Sequence, residues 1–405
     1  MLALFLVASF QIVLMRILLI ASQYPPAQGG GGTHSYYLAS ELARLGCKVL
    51  VLTATVPGLA AREEVNPNLA VLRRDFGSKA DLVSTGSLKA ALDAFNAFRP
   101  TLVHGQHLQG ANLAMRLSAV YGVPAFVTLH KTPRLGGIDD TIFSDPTYSE
   151  IRFILASSHI KAVVAGSRAF YSELLKIDER VSAKLNLIYH GVSPGWLRYM
   201  VNIASLAKPN PYERLGLPSG DLIICPARID RRKNLTAFVS ASGQLQSRFA
   251  NRSFTFLITG QPTDKDEMRY QEELVVHAQA CGIQERLFFH SFDFFEVPYI
   301  LHRAAACVLP SYKEGLGLVL LEAMALSVPV IATNTIGINE IVMRNEEGAL
   351  LFDIGEDSEL AERLCQIFSD SALCNKIKSL GRRLVTERFN ARRMAKEHLS
   401  LYSKA

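Results

Sequence analysis

The chain has 405 residues, of which 49% are hydrophobic and 20% are charged, and it carries a net charge of +6. This length exceeds what one core fills and predicts two domains, and the balance of residues is that of a globular protein. The charge is mild and no Lys/Arg run is interleaved with aromatic residues, so a nucleic-acid-binding groove is not indicated. The six cysteines show neither metal-site nor disulfide-framework spacing, which indicates a reducing, cytoplasmic location.

The chain begins with an apolar stretch, residues 1–14 (MLALFLVASFQIVL), directly before Met15. The stretch lacks the basic region and the cleavage site of a signal peptide. Arg16 also ends it before about 20 apolar residues, the span of a bilayer, accumulate. We interpret it as a start-site extension or leader, and peripheral association with the inner face of a membrane stays open as the alternative.

Short apolar runs alternate with amphipathic stretches from Arg16 onward. The runs predict buried strands and the stretches, such as 33–46, predict helices, so the pattern indicates a parallel sheet covered on both faces. The predicted strands of the first domain, residues 15–195, are 16–22, 48–54, 69–74, 101–105, 124–130, 162–167 and 185–191.

A proline-rich region without clean periodicity, residues 196–221, predicts an interdomain linker. The alternation then restarts and predicts a second domain, residues 222–381, with strands at 222–230, 254–260, 286–291, 305–311, 328–333 and 348–353. Residues 382–405 predict one or two amphipathic helices. The fold class is therefore α/β, with two tandem doubly wound, Rossmann-like domains that face each other across a cleft.

Four consecutive glycines, Gly29–Gly32, follow the first predicted strand. They let backbone N–H groups approach a ligand closely, and the N-terminus of the following helix adds positive potential for an anion. The run is not G-x-G-x-x-G, and no acidic residue closes the second strand, so a dinucleotide site is disfavoured. A flexible turn without a ligand is the alternative.

Two cations, Arg228 and Lys233, follow the first strand of the second domain in the stretch ARIDRRKN. They leave the carboxyl end of a strand, where a doubly wound sheet binds ligands. Arg as a bidentate fork and Lys as a point charge suit a diphosphate. A solvated basic turn is the alternative.

Two glutamates, Glu314 and Glu322, stand in the stretch PSYKEGLGLVLLEAMALS. Glu322 falls within a helix that is apolar on nearly every side and is predicted to begin near Gly317 or Leu318. Burying an unpaired carboxylate there costs on the order of several kcal/mol in desolvation free energy unless hydrogen bonds compensate. Sugar hydroxyls can donate such bonds, and Glu314 can serve a second sugar. The alternative is that Glu322 has a structural role and either accepts hydrogen bonds from backbone groups or pairs with a cation in the core.

A metal site is not predicted from either of two suggestive spacings. Asp264 and Asp266 precede a helical pattern, where acidic residues are the expected caps. His104 and His107 have no carboxylate or cysteine at ligand spacing. We expect no metal and no other cofactor.

From about Arg16 to the C-terminus, the chain resembles the retaining GT-B-fold glycosyltransferases of family 4 (glycosyl transferases group 1). The resemblance rests on YPPAQGGGGTH, VTLH, VVAGS, IYHGV, ARIDRRKN, LPSYKEGLGLVLLEAMA and PVIAT with INEIV. The most specific element is E-x7-E, Glu314 to Glu322, followed by R-x4-K, Arg228 to Lys233.

The resemblance implies a role for each matching position. Glu314 would hold the hydroxyls of the donor sugar, Glu322 the ribose hydroxyls, and Arg228 with Lys233 the diphosphate. Backbone N–H groups would complete the donor grip, and a glycine pair and a histidine would act from the first domain. The backbone donors are Gly315, Leu316, Gly317 and Leu318. The glycine pair is Gly29 and Gly30, and the histidine is His130.

The implied activity is a hexosyl transfer from a nucleotide-diphosphate sugar, UDP-sugars before GDP-sugars, to a hydroxyl of an unknown acceptor. Configuration would be retained without a metal, and residues 382–405 would cross back onto the first domain. The chain departs from the family at TIGINEIV (335–342), Thr101 and Leu316, and acceptor recognition is expected in loops such as 131–150, with Arg134. An epimerase or hydrolase on the same fold and a non-catalytic nucleotide-sugar-binding subunit are the alternatives.

Overall fold

The computed structural model describes residues 15–27, 29–76, 84–130 and 146–405. They form two compact units. The first comprises the described residues up to Gly191 together with Ala391–Ala405, and the second is Val192–Asn390. The stretch interpreted as a leader, residues 1–14, lies outside the described residues.

The first unit contains an eight-stranded sheet in the order β3-β4-β2-β1-β5-β6-β7-β8. All neighbours pair in parallel except β3, which runs antiparallel to β4. The strands are β1 (Arg16–Ala21), β2 (Lys48–Ala54), β3 (Arg62–Asn66), β4 (Leu69–Arg74), β5 (Leu102–Gln106), β6 (Ala125–Leu129), β7 (Ile160–Ala165) and β8 (Leu185–Leu187). Because β3 is exposed along its length, it carries no apolar run, and the sequence did not predict it.

The second unit contains a parallel six-stranded sheet in the order β11-β10-β9-β12-β13-β14. Its strands are β9 (Asp221–Cys225), β10 (Phe254–Ile258), β11 (Leu287–Phe289), β12 (Ala306–Leu309), β13 (Val330–Thr333) and β14 (Leu350–Phe352). Counted within the unit, this is the strand order 3-2-1-4-5-6 of a doubly wound fold. The prediction of two Rossmann-like α/β domains is confirmed.

Helices cover both sheets. In the first unit they are α1 (Gly30–Arg44), α2 (Thr85–Phe98), α3 (His107–Tyr121), α4 (Pro146–Ala156), α5 (Arg168–Ile177) and the C-terminal α14 (Ala391–Tyr402). In the second unit they are α6 (Pro194–Leu206), α7 (Leu235–Arg248), α8 (Lys265–Ala280), α9 (Val297–Arg303), α10 (Leu318–Ala325), α11 (Ile336–Asn339), α12 (Asp357–Ser369) and α13 (Ser371–Glu387). Within the part of the chain that the structure describes, none of these helices combines the length and hydropathy that a bilayer span requires.

The predicted linker, residues 196–221, is wrong in its first half, because α6 occupies residues 194–206 and belongs to the second unit. Pro194 stands in the first turn of this helix, where proline is compatible with helical backbone. Trp196 is buried and stacks on Phe294, with ring centroids 5.1 Å apart. This packing against a residue distant in the sequence orders a stretch whose local composition indicates a loop.

The predicted division at residue 381 also differs from the structure. Helix α13 continues without a break through that position to Glu387, and the division between units falls between Asn390 and Ala391. Of the predicted C-terminal segment, residues 382–405, only Ala391–Ala405 with helix α14 belongs to the first unit. The two points where the chain passes from one unit to the other lie side by side, since Val192 donates its N–H to the Phe389 carbonyl at 2.9 Å.

Helix α3 approaches strand β1 closely at Gly110. A Cβ at Gly110 would lie 2.3 Å from the Ile20 carbonyl oxygen, and one at Gly105 would lie 2.2 Å from the Gly110 carbonyl oxygen. Since both obstacles are backbone, relief requires moving the helix. We expect Gly110→Ala to lower the free energy of unfolding by about 3 kcal/mol, the range of overpacked cores, as measured by urea denaturation.

Gly195→Ala is the matched control, because a Cβ there meets no atom within 4 Å. It should not lower the urea midpoint, and because Gly195 lies in helix α6, the higher helix propensity of alanine favours a small increase. Equal stability of the two variants would contradict the tight contact of α3.

Candidate functional site

In the second unit, the strand order reverses between β9 and β12, which are hydrogen-bonded neighbours. Crossovers on either side of such a point go to opposite faces and leave a crevice outside the carboxyl ends of the two strands. The loops that follow β9 and β12, residues 226–234 and 310–317, therefore form the rim of this crevice. Both predicted cations and Glu314 lie on these two loops.

In the loop after β9, the charged side chains differ in their exposure to solvent. The Arg228 side chain is 61% exposed, and its guanidinium lies 3.7 Å from Asp230. Burial alone would raise the pKa of Asp230, but hydrogen bonds and charge from Arg232, with Arg228 nearby, lower it on balance. Asp230 is thus an ionised anchor that restrains Arg228 while leaving its outer face accessible to an anion.

Three contacts join the two loops. The Tyr312 N–H donates to the Arg232 carbonyl at 2.9 Å, and the Tyr312 hydroxyl donates to Asn234 Oδ1 at 3.0 Å. Lys233 Nζ donates to Glu314 Oε1 at 2.5 Å, and both side chains are mostly buried. The structure thus brings together Lys233 and Glu314, which are 81 residues apart in the chain.

Helix α10 begins at Leu318, as predicted, after Gly317 in the left-handed conformation at φ 76°. The first turn follows directly on the loop that carries Glu314, so the predicted backbone donors, Gly315 to Leu318, lie beside that carboxylate. Glu322 lies one turn into the helix and is 7% exposed. Burial, and secondarily the charge of Glu322, raises the pKa of the Cys307 thiol to about 12, so Cys307 stays protonated.

Two glycines that the sequence reasoning did not single out support these loops. A Cβ on Gly337, in α11, would lie 2.2 Å from the Glu314 carbonyl oxygen and 2.7 Å from that of Gly315. A Cβ on Gly260 would lie 2.5 Å from the Ala227 carbonyl oxygen, next to Arg228. Gly337 is the glycine that remains in TIGINEIV, and its retention there was the available signal.

Two hydroxyls near the second loop were also missed. Ser311 is 1% exposed and Thr335 is 7% exposed, and the hydroxyl of each is buried without a hydrogen-bond partner among the described residues. Unsatisfied buried hydroxyls are uncommon in native structures and often mark places where a ligand or water binds. Neither residue carries charge, which is why spacing rules do not detect them.

In the first unit, the order of the parallel strands reverses between β1 and β5. Gly29 precedes α1 with φ 145°, and α1 begins at Gly30 rather than near Thr33 as predicted. A Cβ on Gly31 would lie 2.1 Å from the His107 ring, so this glycine is required for packing as well as for access. The structure places the N-terminus of α1 at the point where doubly wound sheets bind ligands.

His130, the predicted histidine, directly follows β6 and lies in a cluster of histidine rings. Its ring centroid is 4.9 Å from that of His34, 4.5 Å from His107 and 5.2 Å from His190. His104 and His398 extend the cluster toward α14, with centroids 5.6 Å apart. These rings come from β5, the ends of β6 and β8, and helices α1, α3 and α14, so sequence spacing predicts little of the arrangement.

The cap interpretation of Asp264 is confirmed. Its Oδ1 accepts hydrogen bonds from the Asp266 and Glu267 N–H groups at 3.0 and 2.9 Å, at the start of α8. His104 and His107 separate, because His104 lies in β5 and His107 begins α3. Most of the predicted acceptor segment, residues 131–145 with Arg134, lies outside the described residues.

Two family models match the chain, one over each half. The model described as Glycosyltransferase Family 4 matches residues 28–196, and the model described as Glycosyl transferases group 1 matches residues 213–384. The second match contains the loops after β9 and β12, with Arg228, Lys233, Glu314 and Glu322.

Curated and solved proteins of similar length also match. An alpha-maltose-1-phosphate synthase of Mycobacterium tuberculosis is 27% identical over 96% of this chain and 99% of its own. The sucrose-phosphate synthase of Thermosynechococcus elongatus has a TM-score of 0.74 at 23% identity, over 96% of this chain and 98% of its own. Anabaena HepE in complex with UDP-glucose also has a TM-score of 0.74, at 17% identity, over 96% of this chain and 100% of its own.

Proposed function

This chain belongs to the glycosyltransferases of group 1 and family 4, and we propose that it transfers a sugar from a nucleotide-diphosphate sugar, a UDP-sugar first, to a hydroxyl acceptor with retention of configuration and without a metal. The observation that carries the proposal is the Lys233–Glu314 contact at the reversal point of the second sheet. It joins a group suited to phosphate with a group suited to sugar hydroxyls. A nucleotide-diphosphate sugar contains both chemistries next to each other.

The charges at this site suit the departure of a nucleoside diphosphate. Negative charge develops on the leaving phosphate, and Arg228, Lys233 and the N-terminus of α10 are fixed positive groups that stabilise it. Glu314 accepts hydrogen bonds from the sugar, and Glu322, one turn further in, accepts them from the ribose. We assign Glu314 to hydrogen bonding and not to covalent attack, and we propose that the leaving phosphate oxygen accepts the proton of the attacking hydroxyl on the same face, which retains configuration.

Support for a UDP-sugar comes from the similarity to HepE, whose solved structure contains UDP-glucose. Two similar proteins bear names of phosphorylated sugars, alpha-maltose-1-phosphate synthase and sucrose-phosphate synthase. The roles of Gly29, Gly30 and His130, like the cleft, stay predictions from the family resemblance.

The test is release of nucleoside diphosphate from a panel of UDP-, GDP- and ADP-sugars without acceptor, with and without EDTA. We expect slow release from one donor, preferably a UDP-sugar, that EDTA does not affect and that Glu314→Ala abolishes. The product sugar is examined by NMR for the configuration at its anomeric carbon once an acceptor is found.

Each alternative gives a different result in the same assay. An epimerase would return an altered nucleotide sugar without free diphosphate, and a hydrolase would reach full turnover without any acceptor. A binding subunit would bind a donor by calorimetry but cleave none with any acceptor offered. Absence of binding to every donor would contradict the assignment of all four charged residues.

Gly337 provides a second test, because it supports the backbone of Glu314 without contributing a side chain. We expect Gly337→Ala to displace the backbone at Glu314 and Gly315 and to raise the Kd for the intact nucleotide sugar about tenfold. The Kd for the free nucleoside diphosphate should rise less, since Arg228 and Lys233 stay in place. Calorimetry with both ligands measures the difference, and equal losses for both would contradict the role of this glycine.

A further inference from the structure

Helix α6 of the second unit exposes a stripe of apolar side chains to solvent. Tyr199, Ile203 and Leu206 are 60%, 46% and 80% exposed. Their spacing of four and then three residues places them on one face of the helix. Leu197 and Ala204, on the other side, are buried, and the helix packs against α9 and α10. The stripe therefore lies outside the core of the second unit and faces away from it.

The charged residues next to this stripe are basic. Residues 191–212 contain Arg198 and Lys208 but no aspartate or glutamate. Arg198 directly precedes Tyr199 in the helix, and Lys208 lies two residues past the helix end at Leu206. Both basic residues are exposed. A surface complementary to this side of the unit is therefore apolar and negatively charged.

Helix α8 of the same unit also exposes three apolar side chains, Met268, Val275 and Val276, but in a different charge environment. Glu272 lies one helical turn from both Met268 and Val276, and Glu273 follows it; both glutamates are exposed. These carboxylates repel an anionic surface and would have to lose water on contact with an apolar one. Helix α8 is therefore not expected to bind the kind of surface that fits α6, although it exposes the same number of apolar residues.

Two kinds of partner can cover the stripe on α6, a protein and a lipid layer. A standard protein interface takes about 20 to 30 residues on each side, whereas the stripe has three residues along a helix of 13. A helix that lies in the lipid headgroup region needs only an apolar face beside basic residues, whose charged ends reach the headgroups. Tyrosine is enriched at this depth, because its ring is apolar and its hydroxyl stays hydrated. The composition of the stripe and its neighbours thus favours a lipid surface.

We propose that helix α6 docks the second unit onto an anionic lipid surface, with Tyr199, Ile203 and Leu206 among the headgroups and Arg198 and Lys208 on the lipid phosphates. The helix lies on the surface, since its 13 residues are too few to span a bilayer. Because α6 packs against α10, which carries one of the two predicted glutamates, this contact holds the predicted donor-binding unit itself at the membrane. The binding does not depend on the proposed transfer reaction.

The test is co-sedimentation of the full-length protein with vesicles made of equal parts of phosphatidylcholine and phosphatidylglycerol. In the α6 variant, Tyr199→Ser, Ile203→Ser and Leu206→Ser are combined. We expect this variant to bind the vesicles about tenfold more weakly than the wild type, because it removes the apolar contact with the lipids. Circular dichroism and the urea midpoint verify that the variant is folded. Equal binding of the two proteins, or a wild type that does not bind, would overturn the proposal.

The matched control combines Met268→Ser, Val275→Ser and Val276→Ser on helix α8. It removes the same number of exposed apolar side chains from the same unit, so it should bind the vesicles as the wild type does. The apolar residues 1–14 are present in all three proteins, and any lipid binding that they cause is common to them. A loss in the α8 variant as large as that in the α6 variant would show that general surface hydrophobicity, and not helix α6, governs the binding.

The double variant Arg198→Gln with Lys208→Gln tests the electrostatic part. We expect it to bind the mixed vesicles about tenfold more weakly, because each basic residue near an anionic surface adds to the attraction. Raising the NaCl concentration should weaken binding of the wild type more than that of the double variant, since salt screens the charges that the variant lacks. The same salt dependence in both proteins would contradict the assigned role of these two residues.

Sedimentation equilibrium without vesicles tests whether a second copy of the chain covers the stripe instead. We expect the same molar mass for the wild type and the α6 variant. A wild-type dimer that the α6 variant does not form would overturn the proposal and identify the stripe as an interface between copies.

Discussion

Replacing Glu314 with glutamine is expected to lower kcat/KM for the nucleotide-sugar donor about 100-fold, which corresponds to about 2.7 kcal/mol. Glutamine preserves the shape of the side chain but removes the charge that strengthens hydrogen bonds from sugar hydroxyls. It also leaves Lys233 without the carboxylate that lies 2.5 Å away. Nucleoside diphosphate release from the preferred donor gives kcat and KM separately.

Lys313→Gln is the matched control for this variant. Lys313 is the exposed neighbour of Glu314 on the same loop, so its loss removes a charge from the region without touching the proposed contacts. It should change kcat/KM less than threefold, an order expected for a solvated charge. A comparable loss in both variants would show that general electrostatics, and not Glu314 itself, governs donor use.

A double-mutant cycle with Lys233→Met tests whether Lys233 and Glu314 act as one unit. Residues in direct contact rarely show additive effects, because each single change already disturbs the other partner. We therefore expect the double variant to be little worse than the poorer single variant. Full additivity would indicate that the contact in the ligand-free protein is irrelevant to catalysis.

The regular part of the fold follows from local patterns. Strands such as β1 and β9 are continuous apolar runs, and both are almost wholly buried, so the parallel sheets could be predicted. The spacing of Glu314 and Glu322 could be read for the same reason, since it depends only on a loop followed by one helical turn. The sequence placed Lys233 and Glu314 each after a strand of the second domain, but their direct contact was not predicted and is seen only in the structure.

What local patterns did not predict depends on tertiary partners. Helix α6 is held by Trp196 against Phe294, and α1 begins inside a glycine run because Gly31 packs on the His107 ring. A hydrogen bond joins His104 to a tyrosine 298 residues away in the chain. No window of sequence contains both members of such pairs, so they are accessible only from the folded structure.

The histidine cluster of the first unit should make that unit sensitive to acid. Burial lowers the pKa of His190 to about 3 and that of His398 to about 4. Burial, and secondarily nearby histidines, also lowers the pKa of His34 and His104 well below the ordinary 6.5. All four are buried neutral rings, whereas in the unfolded chain they titrate near 6.5.

The direction of the effect follows from these shifts. Well above pH 6.5 the rings are neutral in both the folded and the unfolded state, so no stability is lost there. As the pH falls below 6.5, the unfolded chain binds protons that the folded unit does not, so the free energy of unfolding decreases. Between pH 7 and pH 5 each histidine contributes about 2 kcal/mol of this loss, and four contribute about 8 kcal/mol, which is comparable to the whole stability of a domain.

Urea unfolding of the wild type at pH 7.0, 6.0, 5.5 and 5.0 measures this slope. We expect a steep fall below pH 6, and His398→Leu should remove about a quarter of it, because the replacement cannot take up a proton when the chain unfolds. His159→Gln is the control for removing a histidine from the surface, since the side chain of His159 is exposed. A wild-type slope no steeper than one histidine would give, about 1.4 kcal/mol per pH unit, would mean that the buried rings accept protons in the folded state.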